Sequence, residues 1–154
     1  SFVPLMLAQN EGGYIVNTAS AAGLIATPAL SIYTMTKHAV VALSETLAAQ
    51  LAQQGAPVKV SVLCPMWVNT RIMESARNRP AALQNPETAS GPAPAEVETF
   101  RHLVETGKSP EEIAAAVFAA IRDERFYILT HPDVAPLVRR RMETILDAFD
   151  SPHP

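Results

Sequence analysis

Apolar residues recur along this chain in two periods. Gly13 to Ser20 reads GYIVNTAS, a β-branched apolar run closing in small polar residues, which predicts a buried strand carrying Ser20 at its C-terminal end. Val58–Leu63 (VKVSVL) predicts a second strand, leading into CPMWVNT. Between them, after turns at Gly23 and Pro28, a helix is predicted from about Ala29 to Gln54. Its apolar positions include Leu30, Ile32, Met35, Ala39, Val40, Val41, Leu43, Leu47, Leu51 and Ala52. They cover more than the stripe needed to pack on one side of a sheet. The opening SFVPLMLAQNEGG reads as the tail of a helix.

Downstream, Ser109-Pro110-Glu111-Glu112 predicts an N-cap, a first-turn proline and a capping-box glutamate, with the helix running to about Arg122. Phe126 to Thr130 (FYILT) predicts a short last strand, Val134 to Phe149 a final helix, and SPHP a frayed tail. From Arg71 to Lys108 the periodicity breaks down. Pro80, Pro86, Pro92 and Pro94 with Gly91 exclude one long helix there. Short helices are predicted near Ile72–Arg77 and Glu96–Thr106.

Composition narrows the class. With 48% hydrophobic and 18% charged residues, and no apolar run long enough to span a bilayer, the expectation is a soluble cytoplasmic enzyme. A net charge of −3 gives no electrostatic case for nucleic acid. Arg139-Arg140-Arg141 reads as a solvated helix face. The single cysteine, Cys64, rules out an intramolecular disulfide and reads as an inert buried thiol. Four histidines (His38, His102, His131 and His153) without metal-ligand spacing predict no metal site. A capping or surface role is expected for His131, with reach to a cofactor or a neighbouring subunit as the alternative.

The candidate chemistry lies in YTMTK. Tyr33 and Lys37 sit at i and i+4 and share a helix face. A free phenol titrates near about 10 and is a poor base at neutral pH, and a cation beside it favours the phenolate. Ser20, thirteen positions before Tyr33, carries a hydroxyl able to hydrogen-bond the same substrate oxygen. These are the parts that hydride transfer to or from a secondary alcohol requires. Strand, Ser20, the Tyr33–Lys37 helix, the next strand and Pro65–Thr70 together resemble the short-chain dehydrogenase/reductase family of NAD(P)-dependent oxidoreductases.

The resemblance implies an α/β fold, the C-terminal half of a Rossmann-like doubly wound parallel sheet, with residues 1–154 forming one partial domain. It implies Tyr33 as general acid/base. Lys37 would hold the nicotinamide ribose and tune Tyr33, and Ser20 would orient the substrate. Pro65, Met66, Val68 and Thr70 are similar to the family's Pro-Gly-x-Val-x-Thr segment, which meets the nicotinamide carboxamide. Met66 departs from it, since the family commonly has glycine there. Residues 71–108 correspond to the family's substrate lid. Trp67, Met73 and Phe100 would line an apolar pocket or pack the lid against the core, and Arg77 and Arg79 offer an anion site or a plain surface. The long helix implies a homodimer or homotetramer, against the simpler reading of a helix buried in one chain.

The family's glycine-rich pyrophosphate turn cannot be built from the glycines at 12, 13, 23, 55, 91 and 107, and its NNAG segment and helix asparagine are missing. The expectation is therefore the C-terminal part of a longer enzyme, with NAD or NADP as cofactor and a small carbonyl or alcohol as substrate. Taken alone, such a chain is expected to aggregate, swap segments or need a partner, because its Ser20 strand has an open edge. A second reading is a non-catalytic oligomerising or binding fragment. A third is epimerase or dehydratase chemistry using the same tyrosine.

Overall fold

The computed structural model describes residues 2–28, 30–84 and 94–150. Its elements are α1 (Phe2–Gln9), β1 (Gly13–Thr18), a 3-10 turn at Ala21–Gly23, α2 (Ser31–Gln53) and β2 (Val58–Leu63). After these come a 3-10 stretch at Arg71–Asn78, α3 (Pro94–Glu105), α4 (Pro110–Arg122), β3 (Tyr127–Ile128) and α5 (Ala135–Asp150). Two compact units result. One holds the residues up to Met66 and those from Ala115 onward, the other Trp67–Ala114.

The first unit is built on a parallel sheet in the order β1-β2-β3. β1 and β2 pair from Gly13–Val58 to Thr18–Leu63, while β3 adds only the pairs Val62–Tyr127 and Leu63–Ile128. Val58, Val60 and Val62 lie on one face of β2. Leu51 of α2 packs with Val58 and Val60, joined by Val3, Met6 and Leu7 of α1. Val41 packs with Ala19, Val62 and Cys64. Helix cover on the valine-rich strands is what a parallel sheet requires.

The long helix stops for an identifiable reason. Gly55 adopts φ +62°, its N–H donates to Ala52 O at 3.0 Å, and the Ala56 N–H donates to Leu51 O at 3.0 Å. This is the paired termination that a left-handed glycine permits at low steric cost. α2 begins at Ser31; the predicted start, Ala29, lies outside the described residues, as do Pro86, Gly91, Pro92 and the SPHP tail. The predicted strand over Phe126–Thr130 is shorter than expected: Tyr127 and Ile128 pair with β2, and Phe126 adds its carbonyl, which accepts from the Val62 N–H at 2.8 Å.

In the second unit the Ser109 capping box forms in full. Glu112 N–H donates to Ser109 Oγ at 3.1 Å and Ser109 N–H to the Glu112 carboxylate at 2.8 Å. Those bonds hold the Glu112 carboxyl below its ordinary range.

Candidate active site

Ser20 lies two residues beyond β1, in extended backbone, and is buried. Its Oγ caps the 3-10 turn by accepting from the Ala22 N–H at 3.2 Å, and its hydroxyl donates weakly to Pro65 O at 3.4 Å. The turn then presses on α2. A Cβ on Gly23 would stand 2.7 Å from the Lys37 carbonyl oxygen and 2.9 Å from a Val41 methyl, so only glycine allows the two backbones to come this close. The residue type at position 23 therefore sets the spacing between the Ser20 turn and the second turn of α2.

Tyr33 and Lys37 stand on the first two turns of that helix, as their spacing predicts. The Lys37 Nζ is 5.6 Å from the centre of the Tyr33 ring and donates to Thr18 O at 3.3 Å. The ammonium thus spans the gap between the phenol and the C-terminal end of β1. In parallel α/β sheets that edge is where ligands bind. Tyr33 is 38% exposed, open enough to meet a substrate.

Pro65 and Met66 follow β2 at the same edge. Pro65 O accepts from the Ala21 N–H at 2.8 Å. The Met66 N–H donates to the Nδ1 of His131 at 3.1 Å, a contact the sequence reading did not assign. The one available signal was position: His131 follows the last strand of a parallel sheet, so it emerges at the edge that carries Ser20 and Pro65.

Val68 and Thr70 belong to the second unit. There Val68 bridges to Lys108, and the Asn69 N–H and amide donate to Lys108 O at 2.8 Å and Glu105 O at 3.0 Å. Thr70 makes no side-chain cap to the 3-10 stretch it precedes. Trp67 meets Phe100 edge to face, ring centres 5.5 Å apart, while Met73 is partly exposed. The Arg77 guanidinium donates to Arg71 O at 2.8 Å.

Around the first unit's site the electrostatics are set by burial. Desolvation pushes the Cys64 thiol up to about 11, outweighing a hydrogen bond from the Ser20 backbone, so it stays protonated at neutral pH. The Tyr127 phenol is pushed up to about 12 by desolvation and by its hydrogen bond to Glu45. A cavity of about 370 Å³ lies beside Ser20's turn, walled by Leu24, Leu129, Val134 and Val138, with Cys64, His131 and Arg139 also lining it. Among the described residues no group of three or more His, Cys, Asp or Glu side chains is placed to hold a metal ion. No helix among them is long and apolar enough to cross a membrane.

The short chain dehydrogenase family model matches residues 1–81, more than half of this sequence. The chain belongs to the short chain dehydrogenase family. Among curated relatives, the CLA biosynthesis dehydrogenase/reductase of Lactiplantibacillus plantarum is 33% identical over 147 residues, covering 94% of this chain and 51% of that protein. The C alpha-dehydrogenase of a Sphingobium strain is 27% identical, covering 96% of this chain and 47% of that protein. A short chain dehydrogenase/reductase from Burkholderia phymatum, solved in complex with NAD, superposes with a TM-score of 0.89 at 43% identity, covering 99% of this chain and 55% of that one. The chain therefore spans about half the length of the curated relatives it matches. Family and superposition together place it in the Rossmann-like α/β class.

Proposed function

We propose that this chain carries the catalytic half of an NAD(P)-dependent dehydrogenase acting on a small carbonyl or secondary alcohol, with residues 1–154 a partial Rossmann domain. The observation that carries the reading is Lys37, whose ammonium lies between the Tyr33 ring and the C-terminal end of β1. An ammonium has three donors and Thr18 O takes one, so two N–H groups suit the vicinal hydroxyls of a ribose. The residues present thus fit the nicotinamide end of the cofactor, while no glycine-rich turn for its pyrophosphate occurs in this sequence. A bound nicotinamide supplies or accepts the hydride.

The chain's own side chains handle the proton and the oxygen. Tyr33 moves the proton at the substrate oxygen, and the Lys37 charge stabilises the negative charge on the phenol oxygen as that proton leaves. Ser20 donates to the substrate oxygen. Its bond to Pro65 O is long, so redirecting the hydroxyl costs little. Family resemblance assigns Pro65, Met66, Val68 and Thr70 to the carboxamide, Trp67 and Met73 to substrate, and residues 71–108 to a substrate lid. Ile32, Met35 and Leu43 leave an apolar face of α2 largely exposed, which supports pairing of this helix with a second copy in a cytoplasmic homodimer or homotetramer.

Tyr33→Phe in the full-length protein is expected to lower NAD- or NADP-dependent turnover of secondary alcohols by about 10²-fold or more, with circular dichroism and cofactor affinity unchanged. A variant keeping a large share of wild-type turnover would reject the assignment. The missing pyrophosphate turn favours a second reading, a non-catalytic oligomerising or binding fragment. NAD titration of the protein isolated from its native source separates the two, since a non-catalytic fragment would not bind the dinucleotide.

A further inference from the structure

The peptide linking Pro65 to Met66 is held at both ends. Its carbonyl accepts from the Ala21 N–H at 2.8 Å and more weakly from the Ser20 hydroxyl at 3.4 Å, and its N–H donates to His131 Nδ1 at 3.1 Å. A flipped plane would set N–H against N–H at Ala21 and carbonyl oxygen against a nitrogen lone pair at His131, so the surroundings accept one orientation only. Met66 also packs on the buried cluster of Ala21, Ile25 and Val134, together with Val138, which fixes the chain on the His131 side.

The clamp depends on the state of the imidazole. Nδ1 accepts only through its lone pair, which requires the neutral ring protonated at Nε2. Thr130 Oγ1 lies 2.9 Å from the same Nδ1, and a hydroxyl can donate or accept, so it adapts to either state. The Met66 N–H cannot adapt, because it faces an added proton once Nδ1 is protonated. Cys64, just past β2, and Arg139 of α5 line the same cavity as His131, and Asp133 lies in the turn that follows.

We propose that His131 is a positioning residue: in its neutral form it locks the Pro65–Met66 peptide, and through it the start of the carboxamide-facing loop. This rests on the reading of Pro65 and Met66 as cofactor-facing residues given above. The test uses the full-length protein in three forms: wild type, His131→Leu, which fills the space without an acceptor, and His131→Asn, whose side-chain oxygen accepts but does not titrate.

Hydrogen-exchange protection of the Met66 amide is expected to fall on the order of tenfold in His131→Leu and to return in His131→Asn. After correction for intrinsic exchange, acidification is expected to lower wild-type protection and to leave that of His131→Asn level. NAD affinity is expected to drop several-fold in His131→Leu and to recover in His131→Asn. Unchanged Met66 protection in His131→Leu overturns the proposal, as does wild type and His131→Asn changing alike with pH. NAD affinity that holds while Met66 protection collapses overturns its functional part. Where His131→Leu does not fold, the pH comparison of the other two forms decides. The exchange measurement needs no substrate, so an active Tyr33→Phe and an unmoved Met66 amide are distinct failures.

Discussion

β1 and β2 are paired residue for residue over six positions, and their side chains alone predict similar burial. The structure separates them. β2 is buried at every position except Lys59, whereas β1 is half-buried throughout and exposed at Thr18. The cause lies beside the strands rather than in them. β2 has β1 on one side and β3 on the other, while β1 has β2 as its one partner among the described residues. An apolar run reports capacity for burial, and neighbours decide how much is used. Polar side chains follow the same division. Ser61 on β2 is fully buried, donating to Arg125 O at 2.6 Å and sharing a bond with the Tyr14 phenol at 3.2 Å.

If that contrast is real in energy, Val62→Ala should give the largest loss. Two methyls leave a fully buried site, and denaturant unfolding should show about 2–3 kcal/mol of destabilisation. A loss below about 0.5 kcal/mol would mean that β2 is no better packed than an edge strand. Next comes the alkaline response of Cys64, just past β2. Its folded-state value of about 11 lies above the ordinary 9.0, so its contribution is full below about pH 9 and is lost as pH rises through 11. The sign is a fall in stability on the order of 2 kcal/mol across that span. Cys64→Ala should flatten the fall, leaving the part due to Tyr127, which titrates higher still.

Ser61→Ala should cost about 1–2 kcal/mol, because it strands the Arg125 carbonyl it served. Val16→Ala on β1 should come last, below about 1 kcal/mol, since its side chain is only half-buried. Equal losses for Val16→Ala and Val62→Ala would erase the comparison.

Much of this was readable beforehand, in places where a single local rule acts. The Val58–Leu63 run is β2 to the residue, and Ser109-x-x-Glu112 forms its capping box. Tyr33 and Lys37 meet because helical geometry places i and i+4 together. The unreadable parts depend on groups far apart in sequence. FYILT looks like five strand residues, but β3 pairs over two. Ser20's hold on Pro65 spans 45 positions and His131's on Met66 spans 65, and no periodicity encodes either. His131 was expected to cap or face solvent; the C-terminal edge of the sheet gave it a backbone amide instead. Nor does the apolar content of α2 say which residues face outward. Val41 is buried, while Ile32, Met35 and Leu43 are exposed.

The contact between Gly23 and the Lys37 backbone gives this region a grain for anyone wishing to redesign it. One absent methyl serves as the spacer between the serine's turn and the tyrosine–lysine helix. A library that randomises position 23 would discard most of its clones on geometry before chemistry was sampled. Leu24, next in the chain, is half-buried and lines the adjoining cavity. Its side chain packs on the Ala19, Val41, Val62 and Cys64 cluster, so a change of size there would be felt by the core beneath the cavity as well as by the cavity itself.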